Sequence, residues 1–370
     1  MTIALAATLI ILAVAWIGAA IGQYFIFFHY LFGVILPMVA GLVFIGGIIW
    51  KVADWAKSPV PFAIPTTGGQ QQSLSWIKPA RLDNPFTTAG VIGRMCLEVL
   101  TFRSLFRNSA ARKSTVNGLP RITYYSSKWL WVFALLFHYS MLVILVRHFR
   151  FVLEPVPFLI AALEFLDGLF QIGHPRFYLT SALILLGLTG LLGRRLYTEK
   201  LRHISLPADY FALFLLFGVV LSGIFMRYFG KVDIAAVKTM IMGIVTLKPI
   251  MPAKPIGNIF FIHVGFVSCL LMYFPFSKLT HMAGIFLSPT RNMKTNTRQE
   301  RHINPWNPPK KFHTYAAYED DFREAMFEAG LPLEKEPMPD DPQAAANDSN
   351  PNSTQDPTGA SGKQTAPGVR

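Results

Sequence analysis

The run Leu136–Phe149, LFHYSMLVILVRHF, is unbroken and apolar, yet it holds two imidazoles, His138 and His148, the second of them beside Arg147. A polar ring in hydrocarbon is costly unless a partner meets it, so an intramembrane histidine is a candidate functional residue. A hydrogen bond between helices is the simpler account of any single one. The reading of this stretch therefore depends on what else the chain places at the same depth.

The chain has 370 residues, 52% of them hydrophobic and 14% aromatic, with a positive mean hydropathy. That composition excludes an ordinary soluble domain and indicates an integral membrane protein. Stretches of about 20 apolar residues, enough to cross a bilayer core at about 1.5 Å per helical residue, lie near 3–22, 25–50, 129–149, 177–193, 208–228 and 257–279. The first has no basic leader and no clear small-residue cleavage site, so it reads as a retained helix. The fold class expected is an all-α integral membrane bundle of six transmembrane helices.

A net charge of +13 could suggest nucleic acid, but the charge is spread over the connections between apolar spans. Topology explains it better. From Lys51 to Lys128 there are eleven Lys or Arg against Asp54, Asp83 and Glu98, and the connection 193–206 adds Arg194, Arg195, Lys200 and Arg202. Both segments are expected in the cytoplasm, which places both termini there and the protein in the cytoplasmic membrane. The side of the 51–128 loop is called inner below. Segment 227–256 resists: it should face outward, yet carries Arg227, Lys231, Lys238, Lys248 and Lys254 against Asp233 alone.

The organisation expected is a first transmembrane helix at 1–24 and a second at 25–50, then a cytoplasmic loop at 51–128. A four-helix core at 129–285, a cytoplasmic docking arm at 286–336 and a disordered tail at 337–370 follow. Within the loop, VIGRMCLEVLTFRSLFR has helical apolar spacing with arginines between, an amphipathic interfacial helix. EPVPFLIAALEFLDGLFQIG reads as another at the outer face. The arm is polar, then helical from about Tyr318 to Glu328. The tail lacks the apolar residues needed to offset its ordering entropy.

Two cysteines, Cys96 and Cys269, are too few for an iron–sulfur cluster. Of nine histidines, His138, His148, His263 and His281 lie near membrane depth, with His29 a fifth candidate. Ten residues separate the first two and eighteen the second two, about 15 and 27 Å on straight helices. With the third and sixth spans antiparallel, His138 faces His281 at the inner end and His148 faces His263 at the outer end. Bis-histidine sites across a helical bundle suit a haem: the flat macrocycle with its apolar edges fits between helices, and imidazoles complete the octahedral iron. Zinc would need a third or fourth ligand, and none sits at these depths. His29 has no partner on its own helix and reads as hydrogen-bonded or interfacial. His203, His302 and His313 fall in polar inner segments and read as solvated or partner-contacting. Arg147 and Arg150 fit haem propionates and interface anchoring equally well.

The spacings His-x9-His and His-x17-His resemble those of the gamma-subunit family of respiratory nitrate reductase, in which an inner and an outer pair each hold one b haem. Longer strings are similar to the cytochrome b membrane subunits of sulfite-reduction-associated DsrMKJOP complexes: SPVPFAIPTTGGQQ, RLDNP, SSKWLW, LVRHFRF, EPVP, SLPADYF, FMRYFGKVDI, YFPFSKLTHM, LSPTRNM and RHINPWNPP. The likeness covers about 25–335. It implies a dihaem cytochrome b in dissimilatory sulfur metabolism. Such a subunit exchanges electrons between a menaquinone or ubiquinone pool and a cytoplasmic iron–sulfur subunit like DsrK, itself similar to heterodisulfide reductase. It also implies a DsrJ-like cytochrome c, a DsrO-like iron–sulfur protein and a DsrP-like membrane subunit as partners, with DsrC reached indirectly. A quinone carbonyl needs a hydrogen-bond donor and an ionisable neighbour. The candidates at outer depth are Arg147, Glu154, Asp167, His174 and Asp233, with His148 itself.

Two other classes remain open on sequence alone. A transporter could relay protons through these histidines, although no inverted repeat or matched broken helices appear. A purely structural anchor for soluble enzymes would leave four buried histidines unexplained.

Overall fold

The computed structural model describes residues 1–58, 60, 63–64, 69–116, 118–168, 176–296 and 313–335. Among them are six helices long and apolar enough to cross a membrane: Thr2–Gly22, Ile26–Ala56, Trp129–Phe151, Leu179–Tyr197, Pro207–Tyr228 and Asn258–Phe276. Their outward surfaces carry Leu5, Ile10, Trp16, Leu42, Ile45 and Leu145, all exposed and unfavourable in water, as a lipid-facing surface requires.

The second span is not uniform. A short helix at Ile26–Tyr30 passes through a π-helical turn, Leu31–Ile35, before Leu36–Ala56. Pro37 has no N–H to offer the preceding turn, which favours such a local rewinding. The sixth span is the hub. It packs on the first, second and fifth, and its Phe260, Phe261 and Phe266 are buried with Ala15, Ala19, Val34, Leu215 and Met240. The third span packs on the fourth, and the fourth on the fifth. Gly187 makes the third–fourth contact close: a Cβ there would lie 2.8 Å from the backbone nitrogen of Phe137. By contrast, the third span, which carries His138 and His148, and the sixth, which carries His263, share no extended backbone packing.

Three features differ from the sequence expectation. The inner loop contains a β-hairpin, Ser109–Val116 (β1) paired antiparallel with Leu119–Ser126 (β2), in a fold expected to be all-α. Its Asn117-Gly118 connection is a strong sequence signal for a two-residue hairpin turn, and Gly118 has φ +79°, which glycine adopts without strain. The amphipathic helix spans Thr88–Thr101 and stops at Phe102, whose φ of 50° and ψ of 47° are left-handed, before a short helix at Arg103–Phe106. Finally, the sixth span does not run straight to His281. It ends in a 3₁₀ turn at Phe274–Phe276, breaks at extended Ser277 and restarts at Lys278, so the 27 Å rise of a single helix does not apply.

The connection 227–256 holds the helix Ile234–Val245, capped by Asp233, whose carboxylate accepts from the N–H groups of Ala235 and Ala236. Lys254 pairs with Asp233, and Lys238 with Glu154. Part of the excess positive charge that argued against an outward position is thereby neutralised.

Residues 308–370 form a separate unit. Its described part is the helix Tyr315–Glu328, N-capped by Thr314, with buried Glu319 accepting from the N–H groups of Glu334 and Lys335. His174, His302, the arm residues 297–312 and 336, and the tail 337–370 lie outside the described residues.

Candidate functional site

The four histidines fall into two groups. His138 and His281 approach with ring centroids 6.0 Å apart and planes at 80°. These two residues could hold one metal between them. His148 and His263 line a cavity of about 180 Å³ together with Phe151, Met226, Val237, Ile241, Phe260 and Val264. Its walls are almost wholly apolar, and one is the 234–245 helix, which the sequence reading treated only as a connector.

All four rings are oriented through the same atom. His138 Nδ1 lies 2.7 Å from the carbonyl of Ala134, His148 Nδ1 2.7 Å from that of Ile144, and His281 Nδ1 2.8 Å from that of Lys278. A carbonyl only accepts, so each Nδ1 carries a proton, and in the neutral ring Nε2 keeps its lone pair. His263 reaches the same state differently. Its Nδ1 lies 3.0 Å from Ser222 Oγ, whose own hydroxyl donates to the Gly218 carbonyl at 2.6 Å and so has a lone pair to accept with. Fixing one ring nitrogen by a hydrogen bond while the other faces a metal is the usual arrangement of a histidine ligand.

His29 has the opposite arrangement. Its Nε2 lies 3.3 Å from the Ala19 carbonyl, and its ring stacks on Phe261 at 4.2 Å with the planes 2° apart. The nitrogen a metal would use is the one already occupied.

These observations fit a haem. The donors are pairs of imidazoles, the outer cavity is apolar, and the helices bearing the pairs are not packed backbone to backbone. Among the described residues no three His, Cys, Asp or Glu side chains converge as a bare ion would need. His138, His281, His148 and His263 are the residues that could hold such groups.

Phe102 is a residue the sequence reading missed. Its ring meets His138 edge-on, with centroids 5.0 Å apart. The turn that presents it is pinned to the third span, where Trp131 Nε1 donates to the Thr101 carbonyl at 2.7 Å and the Tyr139 hydroxyl to that of Leu100 at 2.6 Å. A bulky residue held in left-handed backbone is strained, and it persists because this docking over-determines it.

The outer acidic and basic candidates form a network beside the cavity rather than lining it. Arg147 pairs with buried Asp167, which also accepts from Thr180 through N–H at 2.8 Å and Oγ at 2.6 Å. Arg150 donates to both oxygens of Glu164 at 2.7 Å, and the Tyr178 hydroxyl donates to Glu164 at 2.7 Å. The guanidinium groups of Arg147 and Arg227 lie over the Tyr178 ring, 3.4 and 4.1 Å from its centroid. Burial pushes the Glu164 carboxyl up, but the Tyr178 hydrogen bond and the charges of Arg150 and Arg147 outweigh it and hold the group below its usual range. Glu154 and Asp233 are engaged with Lys238 and Lys254, and of the five described quinone candidates His148 alone lines the cavity. The buried Nε atoms of Arg147 and Arg227 have no hydrogen-bond partner among the described residues.

Six spans with paired imidazoles at two depths define a membrane-embedded bundle of cytochrome b-like type. The family described as nitrate reductase gamma subunit matches residues 89–296, a segment holding all four paired histidines and Phe102. A relative from Archaeoglobus fulgidus, described as an Hdr-like menaquinol oxidoreductase cytochrome b-like subunit, is 43% identical over 284 residues, covering 75% of this chain and 84% of the relative. One of the same description from Archaeoglobus profundus is 40% identical over 280 residues, covering 74% and 82%. The chain belongs to the nitrate reductase gamma subunit family.

Proposed function

We propose that the protein is the dihaem cytochrome b subunit of a membrane redox complex. It exchanges electrons between the quinone pool and a cytoplasmic iron–sulfur subunit of heterodisulfide-reductase type. The observation that carries this reading is the common state of four imidazoles, each anchored at Nδ1 and free at Nε2, in two facing pairs. His138 and His281 would hold the inner haem, and His148 and His263 the outer. A bound haem supplies reversible one-electron chemistry at its iron. The chain's own part is to fix the tautomer of each ligand, keep the outer site apolar through Phe151, Val237 and Phe260, and present the inner pair beneath the 88–106 turn.

The description of the Archaeoglobus relatives as menaquinol oxidoreductase subunits favours menaquinol as the lipid substrate. Arg147, whose Nε has no partner among the described residues, is the donor we retain for a quinone carbonyl or a haem propionate. The long strings shared with DsrMKJOP cytochrome b subunits support dissimilatory sulfur metabolism as the setting. They also support DsrK-, DsrJ-, DsrO- and DsrP-like subunits as partners. The positive-inside pattern supports the cytoplasmic membrane with both termini inside.

A reduced-minus-oxidised spectrum of the purified protein should show b-type absorption from two haems, and a menaquinol analogue should reduce it. Absence of b-type absorption would overturn the reading and return the intramembrane histidines to the transporter hypothesis.

A further inference from the structure

We infer that the hairpin β1–β2 is a docking ribbon for an acidic cleft of the soluble iron–sulfur subunit. This rests on the function proposed above. The ribbon leaves the membrane at the inner end of the third span, where the Ser127 N–H donates to the Asn108 carbonyl at 3.0 Å immediately before Trp129. Nearly every residue in it is exposed, and no other strand pairs with it among the described residues. A lone two-stranded ribbon is marginally stable in water, so this one calls for a partner surface.

Its charge indicates the partner's chemistry. No Asp or Glu occurs from residue 99 to residue 153, whereas Arg112, Lys113 and Arg121 stand on the ribbon. Arg103 and Arg107 near its base are matched by Asp83, but the three ribbon cations have no ion pair among the described residues. A second copy of this chain would bring like charges to the same edge, which disfavours self-pairing.

The register separates a protein cleft from a lipid surface. Residues paired across the strands share a face, and neighbours alternate. Arg112, opposite Thr123, and Arg121, opposite Ser114, share one face with Tyr125 and Leu119; Lys113, opposite Ile122, shares the other with Tyr124. Each face thus carries cation, aromatic ring and aliphatic group. A ribbon lying on anionic lipid would engage one face only, whereas a cleft clasps both.

The test uses the intact complex in its native membranes. A photo-crosslinking phenylalanine analogue at position 124, and separately at 125, should attach to the same iron–sulfur subunit from opposite faces. The triple variant R112E/K113E/R121E should keep its haem spectrum yet release that subunit at lower salt than the unmodified complex. Cross-links to lipid alone or to a second copy of the chain, or a triple variant with unchanged salt release, would overturn the inference while leaving the haem reading intact. A purified complex with haem but no iron–sulfur subunit would overturn both the partner proposed above and this inference.

Discussion

The two histidine pairs are oriented by different means. At the inner end both rings rest on main-chain carbonyls, those of Ala134 and Lys278, and the side chain that shapes the site is Phe102, from outside the bundle. At the outer end His148 also uses a carbonyl, but His263 depends on the hydroxyl of Ser222, borrowed from the fifth span, and the site is walled by the bundle itself. The inner pair is thus tied to a turn that ordering of the inner loop can reach, and the outer pair to the packing of helices. On the proposed reading, each end can be addressed independently of the other.

Ser222→Ala should give the largest asymmetry. Removing the acceptor of a ligand histidine typically costs about 10–100-fold in metal affinity, so outer haem should be lost on dilution or its midpoint potential shifted, with the inner haem unchanged. Redox titration with two resolved b-type components checks this, and equal shifts of both would break the contrast. Phe102→Ala should act on the other end, altering the electron paramagnetic resonance signature of the inner haem without loss of haem. Phe102→Gly should match it spectroscopically while restoring some stability, because glycine adopts the left-handed backbone without strain. If the alanine variant perturbs the outer signal instead, Phe102 does not belong to the inner site.

The smallest effect concerns the outer network. Glu164 titrates below its usual range, so its contribution to stability should be fully present above the unfolded carboxyl value of about 4.3. It should be lost as pH falls through the lower folded value. The Glu164→Gln variant should therefore melt below the unmodified protein at neutral pH, the gap closing under acid. A gap that widens under acid would contradict the sign.

Much of this contrast is visible in the sequence. Long apolar runs give the spans because a bilayer demands them, and the histidines stand out within or beside those runs, although the straight-helix rise expected between His263 and His281 does not apply. Other parts are not. The break at Ser277 and the stop at Phe102 are set by tertiary docking, which single-residue propensities do not register. The 234–245 helix is too short to read as a span, although it walls the outer cavity. The hairpin was announced by Asn117-Gly118 but hidden in a loop chosen for its charge. Arg147, Glu154, Asp167 and Asp233 looked alike as outer polar residues; only their partners show that each is bound to a structural neighbour.

Haem content of paired replacements tests the central claim most directly. If the unmodified protein binds two haems per chain as proposed, His138→Ala with His281→Ala should leave one, and His148→Ala with His263→Ala should leave the other. His138→Ala with His263→Ala should leave none, and His29→Ala should leave both. If the His138–His281 double variant lost both haems, or either single replacement within that pair kept two, the pairing proposed here would be wrong.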